Sequence, residues 1–532
     1  MKKRLYAILL VLCIMVVRVE ARESRPDSIW YDSITGVRTH LQIADTLYKD
    51  DCPLHIFGKN TDGTPKLPAL QALVEDLGVN ALVFGWDRFV TRREWANVTG
   101  RVLHDNITGG WVWDSDSFSG NQFAHPYHGG MFYNSAREHG LSYGVSLAYP
   151  VLGSLTWELF CETNKPAIND LISTGIGGAA IGEVTHRTSD IFFDNTKRGA
   201  DRMVREVIGS FLNPVRGLHR IISGEMFRVD RFSAGKKEVP EAYSFSLGIG
   251  TRYIYDTGDI HPQLGRRYHE NVPFLDVRFN YGNHYNNLDE GTASRAFDCF
   301  DVYALVNLTP DHPTVGEFEL LGRIGSYQTQ LPHRWKLDIG FYQNIRYIDH
   351  YGSKETQRPG NLAIISEAAS FGAGFHAERH GKEVTLRHDF MLSAVPLGGS
   401  TADYYPLRRY NFGTGFSLRH GFEFIRNRRL SFGNNFYFMR LFVPKGTKPV
   451  NLDSWLDDPD FRHDAMFDGT NYMGDKGEQS VVLNRLFANV NLFRNVQLNL
   501  QGEFYMRHGN YRYYPSVTAK STEWKAGLIY NL

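Results

Sequence analysis

The sequence has few cysteines and no net charge, and each shortage argues against a class of protein. Four of its 532 residues are cysteine. Cys52, Cys161 and Cys299, which follow the N-terminal segment, lie too far apart to form a disulfide framework or a zinc motif. Lys and Arg together number 58, as do Asp and Glu. Because nucleic-acid-binding surfaces are strongly basic, this balance argues against a nucleic-acid partner.

Long hydrophobic runs are absent after the N-terminus. The mean hydropathy is −0.35, and no stretch after residue 21 offers the roughly 20 apolar residues that a membrane-spanning helix needs. The pattern therefore excludes a helical membrane protein. It does not exclude a membrane β-barrel, because only every second residue of a barrel strand faces lipid.

The first 21 residues predict export. A basic segment at Lys2–Arg4 precedes the apolar run Leu5–Val17, and Val19 and Ala21 offer small side chains for signal peptidase. We therefore expect a signal peptide over residues 1–21. Its removal takes away four basic residues and one acidic residue, which leaves 54 basic and 57 acidic side chains.

The mature chain divides near residue 240. Residues 22–66 are polar and rich in turn-forming residues, which predicts a poorly ordered periplasmic leader. Residues 67–240 predict a helical domain. Its expected helices cover residues 67–84, 168–187, 199–212 and 214–223. For residues 141–161 the spacing favours a helix over a strand, because it lacks two-residue alternation.

From about residue 242 the hydrophobic period becomes two. In Val496–Gln501 the apolar residues alternate with Gln and Asn, which suits lipid on one face and a polar lumen on the other. About twelve such segments occur, and ten or fourteen strands remain open. Residues 241–532 therefore predict an antiparallel outer-membrane β-barrel. The alternative is a soluble β-sandwich, which would rarely place so many polar residues inward.

The final segment supports export to the outer membrane. Trp524, Leu528 and Tyr530 alternate with polar or small residues, and the chain ends on Leu532. This pattern resembles the terminal signal by which outer-membrane barrels are recognised for assembly, although the usual last residue is aromatic. The expected partners are therefore outer-membrane lipid and the barrel-assembly machinery.

The polar residues most suited to chemistry are concentrated between residues 109 and 190. The candidate catalytic residues are His125, Glu158, Glu183, His186 and Asp116. The candidate binding residues are Asp114, Asp116, Asn121, His125, Arg137, Asp170 and Arg187. Small residues from Gly175 to Gly182 would let another helix or strand approach closely.

Seven short motifs in this stretch carry a resemblance to a known family. They are Trp113-Asp-x-Asp-x-Phe118, Asn121-Gln122, His125-Pro-Tyr127, Ala136-Arg137, Trp157-Glu158, Asn169-Asp170 and Gly182-Glu183. Together they resemble a family of uncharacterised outer-membrane proteins from diderm bacteria, defined only by a domain of unknown function. The resemblance covers this stretch and, in outline, the barrel that follows. It implies location and architecture, and no activity.

Two interpretations of the polar residues compete. In a hydrolase, His125 would act as the base, Asp116 or Glu158 would orient it, and Ser135 or Ser154 would attack. No Gly-x-Ser-x-Gly motif supports that arrangement. In the structural interpretation, His125-Pro126-Tyr127 fixes a turn above the barrel mouth. Glu183 and Arg187 then pair on one helix face.

The sequence predicts no metal site and no cofactor. Glu183-x-x-His186 has the spacing of one arm of a carboxylate-bridged metal centre, but such centres need two arms, and no second one is evident. Asp114, Asp116 and His125, with His128, offer ligand atoms, but two Asp residues two apart are more typical of a turn.

These features predict a barrel with a helical domain that packs in or under its periplasmic mouth, where it plugs the lumen or docks against the inner leaflet. The expected role is envelope structure, a partner platform or solute passage rather than catalysis. The alternative is a hydrolase that modifies lipid or lipopolysaccharide. The N-terminal region is expected on the periplasmic side.

Overall fold

The structure is a computed structural model. It describes residues 66–114, 116–229, 242–256, 269–285, 294–310, 312–350, 363–405, 408–427, 429–447 and 472–532, with 30–31, 38–39 and 57. The predicted signal peptide and most of the predicted leader lie outside these residues. Within the leader, the backbone of Trp30–Tyr31 pairs antiparallel with Arg38–Thr39.

Nine α-helices occupy the part of the N-terminal half that the structure describes. They are α1 (Pro68–Gly85), α2 (Gly100–Thr108), α3 (His125–Glu138), α4 (Tyr143–Ser146), α5 (Ala148–Phe160), α6 (Ile168–Ile172), α7 (Gly178–Phe192), α8 (Gly199–Leu212) and α9 (Pro214–Ile222). Short π turns at Trp86–Val90, Gly120–Ala124 and Ser173–Gly177 and a 3₁₀ turn at Glu94–Ala96 connect or extend them. Each helix predicted from the sequence is present, including the one favoured at 141–161. None of the helices described is long and apolar enough to cross a bilayer.

Twelve antiparallel strands form the closed barrel, as the period-two pattern predicts. They are β1 (Tyr243–Asp256), β2 (His269–Tyr281), β3 (Phe300–Asn307), β4 (Val315–Leu331), β5 (Trp335–Asp349), β6 (Ile364–His380), β7 (Val384–Thr401), β8 (Tyr410–Arg426), β9 (Leu430–Val443), β10 (Gly477–Asn491), β11 (Val496–Tyr511) and β12 (Val517–Asn531). A 3₁₀ turn at Pro332–Arg334 joins β4 to β5, and Gly446–Thr447 pairs with Gly474–Asp475 beside the barrel. Pairing of β12 with β1 closes the ring.

Side chains alternate between the lumen and the outer surface. On β12, Trp524 points outward and is 62% exposed, whereas its neighbours Glu523 and Lys525 are buried in the lumen. An apolar exterior with a charged interior is the pattern of outer-membrane barrels. The alternation therefore identifies the chain as an outer-membrane β-barrel protein with a helical domain. A soluble sandwich, which would bury apolar faces against each other, does not fit.

Charged side chains cross the lumen near its middle. Arg485 of β10 donates to Glu317 of β4 over 2.8 Å and to Glu503 of β11 over 2.6 Å, and Lys525 also pairs with Glu317. Arg252 of β1 lies 3.8 Å from Glu317. Because β4 and β10 stand on opposite sides of the ring, this lumen network ties the two walls together.

The lumen differs on the two sides of this network. Towards the short connections, such as Pro332–Arg334, a cavity of about 500 Å³ is lined by polar and charged side chains, among them Arg346, Arg419 and Asp389. Towards the long connections, buried apolar side chains fill the interior. They are Ile348, Ile365, Val395, Tyr437, Met439, Leu441, Val481, Leu483 and Tyr505. Within the described residues, the barrel's own side chains therefore fill the lumen towards the long connections and leave a cavity towards the short ones.

The helical domain packs against the outside of the barrel, and this corrects the expectation of a plug. On β4, Glu317 and Glu319 face the lumen, so Phe318 and Leu320 must face outward. Phe318 meets Phe123 of the helical domain, with ring centroids 5.3 Å apart. Leu320 packs in one cluster with Val184 of α7.

The docked surface extends around the wall from β2 to β8. Its outward barrel residues include Tyr281, Phe300, Leu320, Ile345, Tyr347, Ile364, Leu397, Tyr410 and Phe412. Of the two alternatives drawn from the sequence, docking is the one observed. The docking surface is the barrel wall rather than the barrel mouth.

Small residues bring the helices close to each other and to the wall. A Cβ at Gly178 of α7 would lie 2.6 Å from Gly129 Cα of α3, which leaves no room for a side chain. A Cβ at Gly177 would lie 2.6 Å from the carbonyl oxygen of Ala368 on β6. This confirms that the glycine-rich segment serves close packing.

The helical domain has its polar residues inside and many of its apolar residues outside. On α1 the buried residues are Gln71, Ala72, Asp76 and Asn80. On the same helix and the turn after it, Leu82 is 65% and Phe89 75% exposed. Helices α8 and α9 repeat the pattern, with Arg202, Glu206, His219 and Arg220 buried and Met203, Val207, Phe211, Leu218, Ile221 and Ile222 exposed. A helix of a water-soluble domain shows the opposite arrangement.

Candidate functional site

A polar cluster lies where the helical domain meets the barrel, and we call it the Asp114 cluster. It contains Asp114, Asn121, His125, Asn169 and Asp170, with Asp116, Glu158 and Glu162 beside it. Asn121 and Asn169 donate to Asp114 Oδ1 over 2.7 and 2.8 Å, and Asn169 also donates to Asp170 over 2.8 Å. The structure thus brings together five of the seven predicted binding residues: Asp114, Asp116, Asn121, His125 and Asp170.

The barrel contributes directly to this cluster. Tyr410, at the start of β8, hydrogen-bonds to Asn121 over 2.7 Å and donates to the carbonyl oxygen of Asp116 over 2.9 Å. Arg408 donates to the carbonyl oxygen of Asp114. The cluster therefore couples the family-specific motifs to the barrel wall.

His125 is the cationic member of this acidic group. Its Nε2 lies 3.5 Å from Asp170 Oδ1 and 3.9 Å from Asp116 Oδ2. Burial alone would lower the pKa of His125, but the negative charge of Asp170 and the nearby carboxylate of Asp116 outweigh it and raise the pKa to about 10.

His128, one turn along α3 from His125, is kept neutral, whereas His125 carries a positive charge. It packs against Phe132 and Trp157 with ring centroids 4.4 and 5.0 Å away. Burial, followed by the charge of His125, lowers its pKa to about 3. His128 is therefore a neutral core side chain rather than a ligand or a base.

Glu183 belongs to a separate ionic cluster between α3 and α7. Arg137 Nε and Arg187 Nε each lie 2.8 Å from its carboxylate, and Tyr133 donates to it over 2.7 Å. Burial raises the pKa of Glu183, but the charges of Arg187 and Arg137 hold it below its usual range. The predicted i,i+4 pair of Glu183 and Arg187 is confirmed, and it serves packing.

His186 belongs to a third cluster. Its Nδ1 lies 2.9 Å from Glu138 Oε1, and Arg216 of α9 donates to Glu138 Oε2 over 2.8 Å. Arg216 also pairs with Asp190 of α7. The Glu183-x-x-His186 spacing therefore does not form an arm of a metal centre, since its two members face different partners.

The geometry gives the hydrolase alternative no support. Ser135 Oγ donates to the carbonyl oxygen of Met131 and Ser154 Oγ to that of Asp170, so neither proposed nucleophile bonds to His125. Glu158 accepts from the backbone N–H of Ala167 over 2.8 Å. The five candidate catalytic residues are divided among three clusters.

His125-Pro126-Tyr127 does not form a turn above the barrel mouth. These residues begin α3, after the π turn Gly120–Ala124. Pro126 fits there because a proline at the first positions of a helix loses no internal hydrogen bond. His125 is thereby fixed beside Asp170 at the barrel wall.

One further cluster was missed from the sequence. Glu75 of α1 lies between His139, which follows α3, and His219 of α9, at 2.8 and 2.6 Å from their Nε2 atoms. These residues stand 64 and 80 positions apart along the chain and share no motif. No local signal could have connected them.

Three solved structures illustrate the likeness in fold. The NanC porin is 8% identical, covers 53% of this chain and 100% of its own, and gives a TM-score of 0.27. An outer membrane channel from Pseudomonas putida F1 is 10% identical over 56% of this chain and 98% of its own, with a TM-score of 0.28. The channel DcaP of Acinetobacter baumannii is 9% identical over 55% and 96%, with a TM-score of 0.22. Scores this low carry no inference about transport.

The helical domain matches a family model. No curated protein matches the chain. Residues 110–215, which hold the Asp114, Glu183 and His186 groups, match the family model described as "Domain of unknown function (DUF3943)".

Proposed function

We propose that the barrel anchors the helical domain in the hydrocarbon layer of the outer membrane, and that it does not serve as an open channel. The observation that carries this proposal is the polarity of the helical domain. Its face against the barrel is packed, its centre is polar, and its outer face is apolar. That combination is stable where the outer face meets lipid rather than water.

Continuity with the barrel surface supports the same placement. The wall outside the docked surface exposes Ile249, Phe432, Leu486, Phe504 and Trp524, as a lipid-facing wall does. The docked helices replace lipid on β2 to β8 and present their own exposed apolar residues in its place, such as Leu82 and Phe89. The apolar belt of the molecule thus runs from the barrel onto the helices.

The lumen network argues against free solute passage. Glu317, Arg485 and Lys525 link opposite walls through buried charged hydrogen bonds, and removing either side would leave a buried charge without a partner. We expect purified protein in planar bilayers to give no stable conductance. A single-channel current of the size that a water-filled twelve-stranded lumen would pass would contradict this part of the proposal.

The lengths of the connections between strands indicate which end of the barrel faces the periplasm. Barrels of this class have short turns on the periplasmic side, so the end that carries Pro332–Arg334 should face the periplasm, where both the helical domain and β1 begin. The N-terminal region would then enter from the periplasmic side. Trp524, Leu528 and Tyr530 on β12 would meet outer-membrane lipid after recognition by the barrel-assembly machinery.

Spin-label accessibility tests the placement of the helices. In a background with its cysteines replaced by serine, nitroxide labels at Leu82 and Phe89 should be more accessible to oxygen than to a water-soluble nickel chelate. A label at Trp524 provides the lipid-facing standard. A label at Arg101, whose side chain is 92% exposed on α2, provides the contrasting position. Equal behaviour at Phe89 and at positions known to face water would overturn the proposal.

A further inference from the structure

Glu75, His139 and His219 form a compact set of metal-ligand atoms inside the helical domain. One ligand atom from each residue lies within 4.8 Å of the other two. Both histidine side chains are nearly fully buried, and Glu75 is largely buried. The three residues come from α1, the end of α3 and α9, so the set joins the two ends of the helical domain.

We infer that Glu75, His139 and His219 bind a divalent transition-metal ion of the zinc type. Two imidazole nitrogens and one carboxylate are a common zinc ligand set, and three protein ligands leave one position for water. Both histidines present Nε2 to the same carboxylate. An ion placed among these atoms would replace the two hydrogen bonds, of 2.8 and 2.6 Å, by coordination bonds. The nitrogen–oxygen separations would widen to about 3.3 Å, as tetrahedral bonds of about 2.0–2.1 Å require.

A neighbouring carboxylate strengthens the inference. Asp76 follows Glu75 in the chain and is 1% exposed, and neither of its oxygens has a hydrogen-bond partner. A buried carboxylate without a partner is costly. A divalent ion held by Glu75 and two neutral imidazoles would supply positive charge next to it.

A second set of ligand atoms in the described residues does not fit a metal ion. Glu317, His350 and Glu523 also lie within reach of one another in the lumen. Lys525 and Arg252 already neutralise that set, with Lys525 Nζ on Glu317 and 3.2 Å from Glu523. In the Glu75 set, by contrast, the carboxylate is paired with the two histidines themselves.

A bound ion would stabilise the folded helical domain. Binding by residues from α1, α3 and α9 requires the folded arrangement, so an ion that binds only the folded state stabilises it. Zinc added to chelator-treated protein should therefore raise its thermal midpoint in detergent, and a chelator should reverse the effect.

Matched glutamine variants test the site. Full-length protein in detergent is treated with chelator, incubated with Zn²⁺, desalted and analysed for metal. We expect about one ion per chain, with a loss of at least tenfold in His139→Gln and in His219→Gln. Glutamine keeps a donor towards Glu75, so a pair of simple hydrogen bonds would survive the change. His104→Gln, at an exposed histidine of α2, should leave the zinc content unchanged.

Two results of the zinc analysis would count against the metal site. Absence of bound zinc in the wild type, or equal zinc in the wild type and both variants, overturns the inference. If the variants fail to fold, X-ray absorption of wild-type protein with one equivalent of Zn²⁺ decides the matter. Two imidazole ligands at about 2.0–2.1 Å support the site, and a spectrum without imidazole scattering rejects it.

Discussion

Phe118 of the helical domain stacks on Tyr347 of β5, with ring centroids 4.9 Å apart and ring planes at 21°. Tyr347 lies on the outward face of the barrel, beside the lumen-facing Arg346. A single aromatic pair thus joins one of the motifs that carry the family resemblance, Trp113 to Phe118, to the outer side of the barrel wall. The attachment of the helical domain depends on this surface.

Phe118→Ala should weaken the attachment strongly. Phe118 is 2% exposed, and removal of a buried phenylalanine costs about 3–5 kcal/mol. A double-mutant cycle with Tyr347→Ala should show a coupling of about 0.5–1.5 kcal/mol, as for other aromatic pairs. Denaturant titration of protein in detergent measures both values. Phe493→Ala, at a highly exposed position, serves as control, and a coupling of zero would show that the pair does not form.

Gly178→Ala should disrupt the packing of α3 against α7. The added methyl would lie 2.6 Å from Gly129 Cα, and because backbone cannot rotate away, the helices must separate. Gly144→Ala meets nothing within 4 Å and should be neutral or slightly stabilising. Thermal unfolding of the two variants compares them directly. Equal midpoints would contradict the close approach.

His125 and His128 of α3 should contribute to the free energy of unfolding with opposite dependences on pH. The folded-state pKa of His125, about 10, lies above the value near 6.5 expected in the unfolded chain. The contribution of His125 to the free energy of unfolding is therefore fully present below pH 6.5 and is lost as the pH rises through 10. We expect the difference in midpoint between wild type and His125→Gln to shrink from pH 7 to pH 10. A difference that grows over this range would contradict the assignment.

For His128 the direction is reversed. Its folded-state pKa of about 3 lies below the unfolded value, so its contribution is complete above pH 6.5 and is lost as the pH falls towards 3. The ¹⁵N chemical shifts of its ring should report a neutral imidazole at pH 5. A protonated ring at that pH would contradict the burial of His128 between Phe132 and Trp157.

Glu317→Ala should destabilise the barrel much more than an exposed carboxylate does. Removing Glu317 leaves Lys525 and Arg485 in the lumen short of a partner, and breaking a buried pair costs about 3–5 kcal/mol. Glu478→Ala removes a partly exposed partner of Arg440, which should cost about 0–1 kcal/mol. Heat-modifiability on gels and denaturant titration measure both.

Much of the fold follows from hydrophobic spacing. The twelve strands were predictable because lipid and lumen impose strict alternation, as in Leu498 and Leu500 between polar neighbours. Helix α8 was predicted at 199–212, where Pro214 ends it. Spacing could not show which side of a helix meets protein, because the apolar positions of α1, such as Leu77, repeat identically whether they face a core or lipid. For that reason the spacing left a plug and a docked domain as alternatives, of which the docked domain is observed.

The candidate site was recovered in part. Asp114 lies beside Asp170 because a parallel bridge joins Val112 to Ala167 just before α6, and no period in the sequence signals that contact. Asn121, in the π turn before α3, hydrogen-bonds to Asp114. Glu183 and His186 share a helix with the spacing predicted but face different partners, Arg137 and Glu138. Which partner each of these two side chains meets depends on tertiary packing and not on spacing along the helix.

The most direct measurement is photocrosslinking at Phe89 in native outer membranes. A photoreactive phenylalanine analogue there, 75% exposed at the end of α1 and its turn, should form lipid or lipopolysaccharide adducts, as the same probe does at Trp524. A probe at Gln501, in the lumen cavity, should form none. Adducts at Trp524 with none at Phe89 would contradict the account, because the helical domain would then stand away from the hydrocarbon layer.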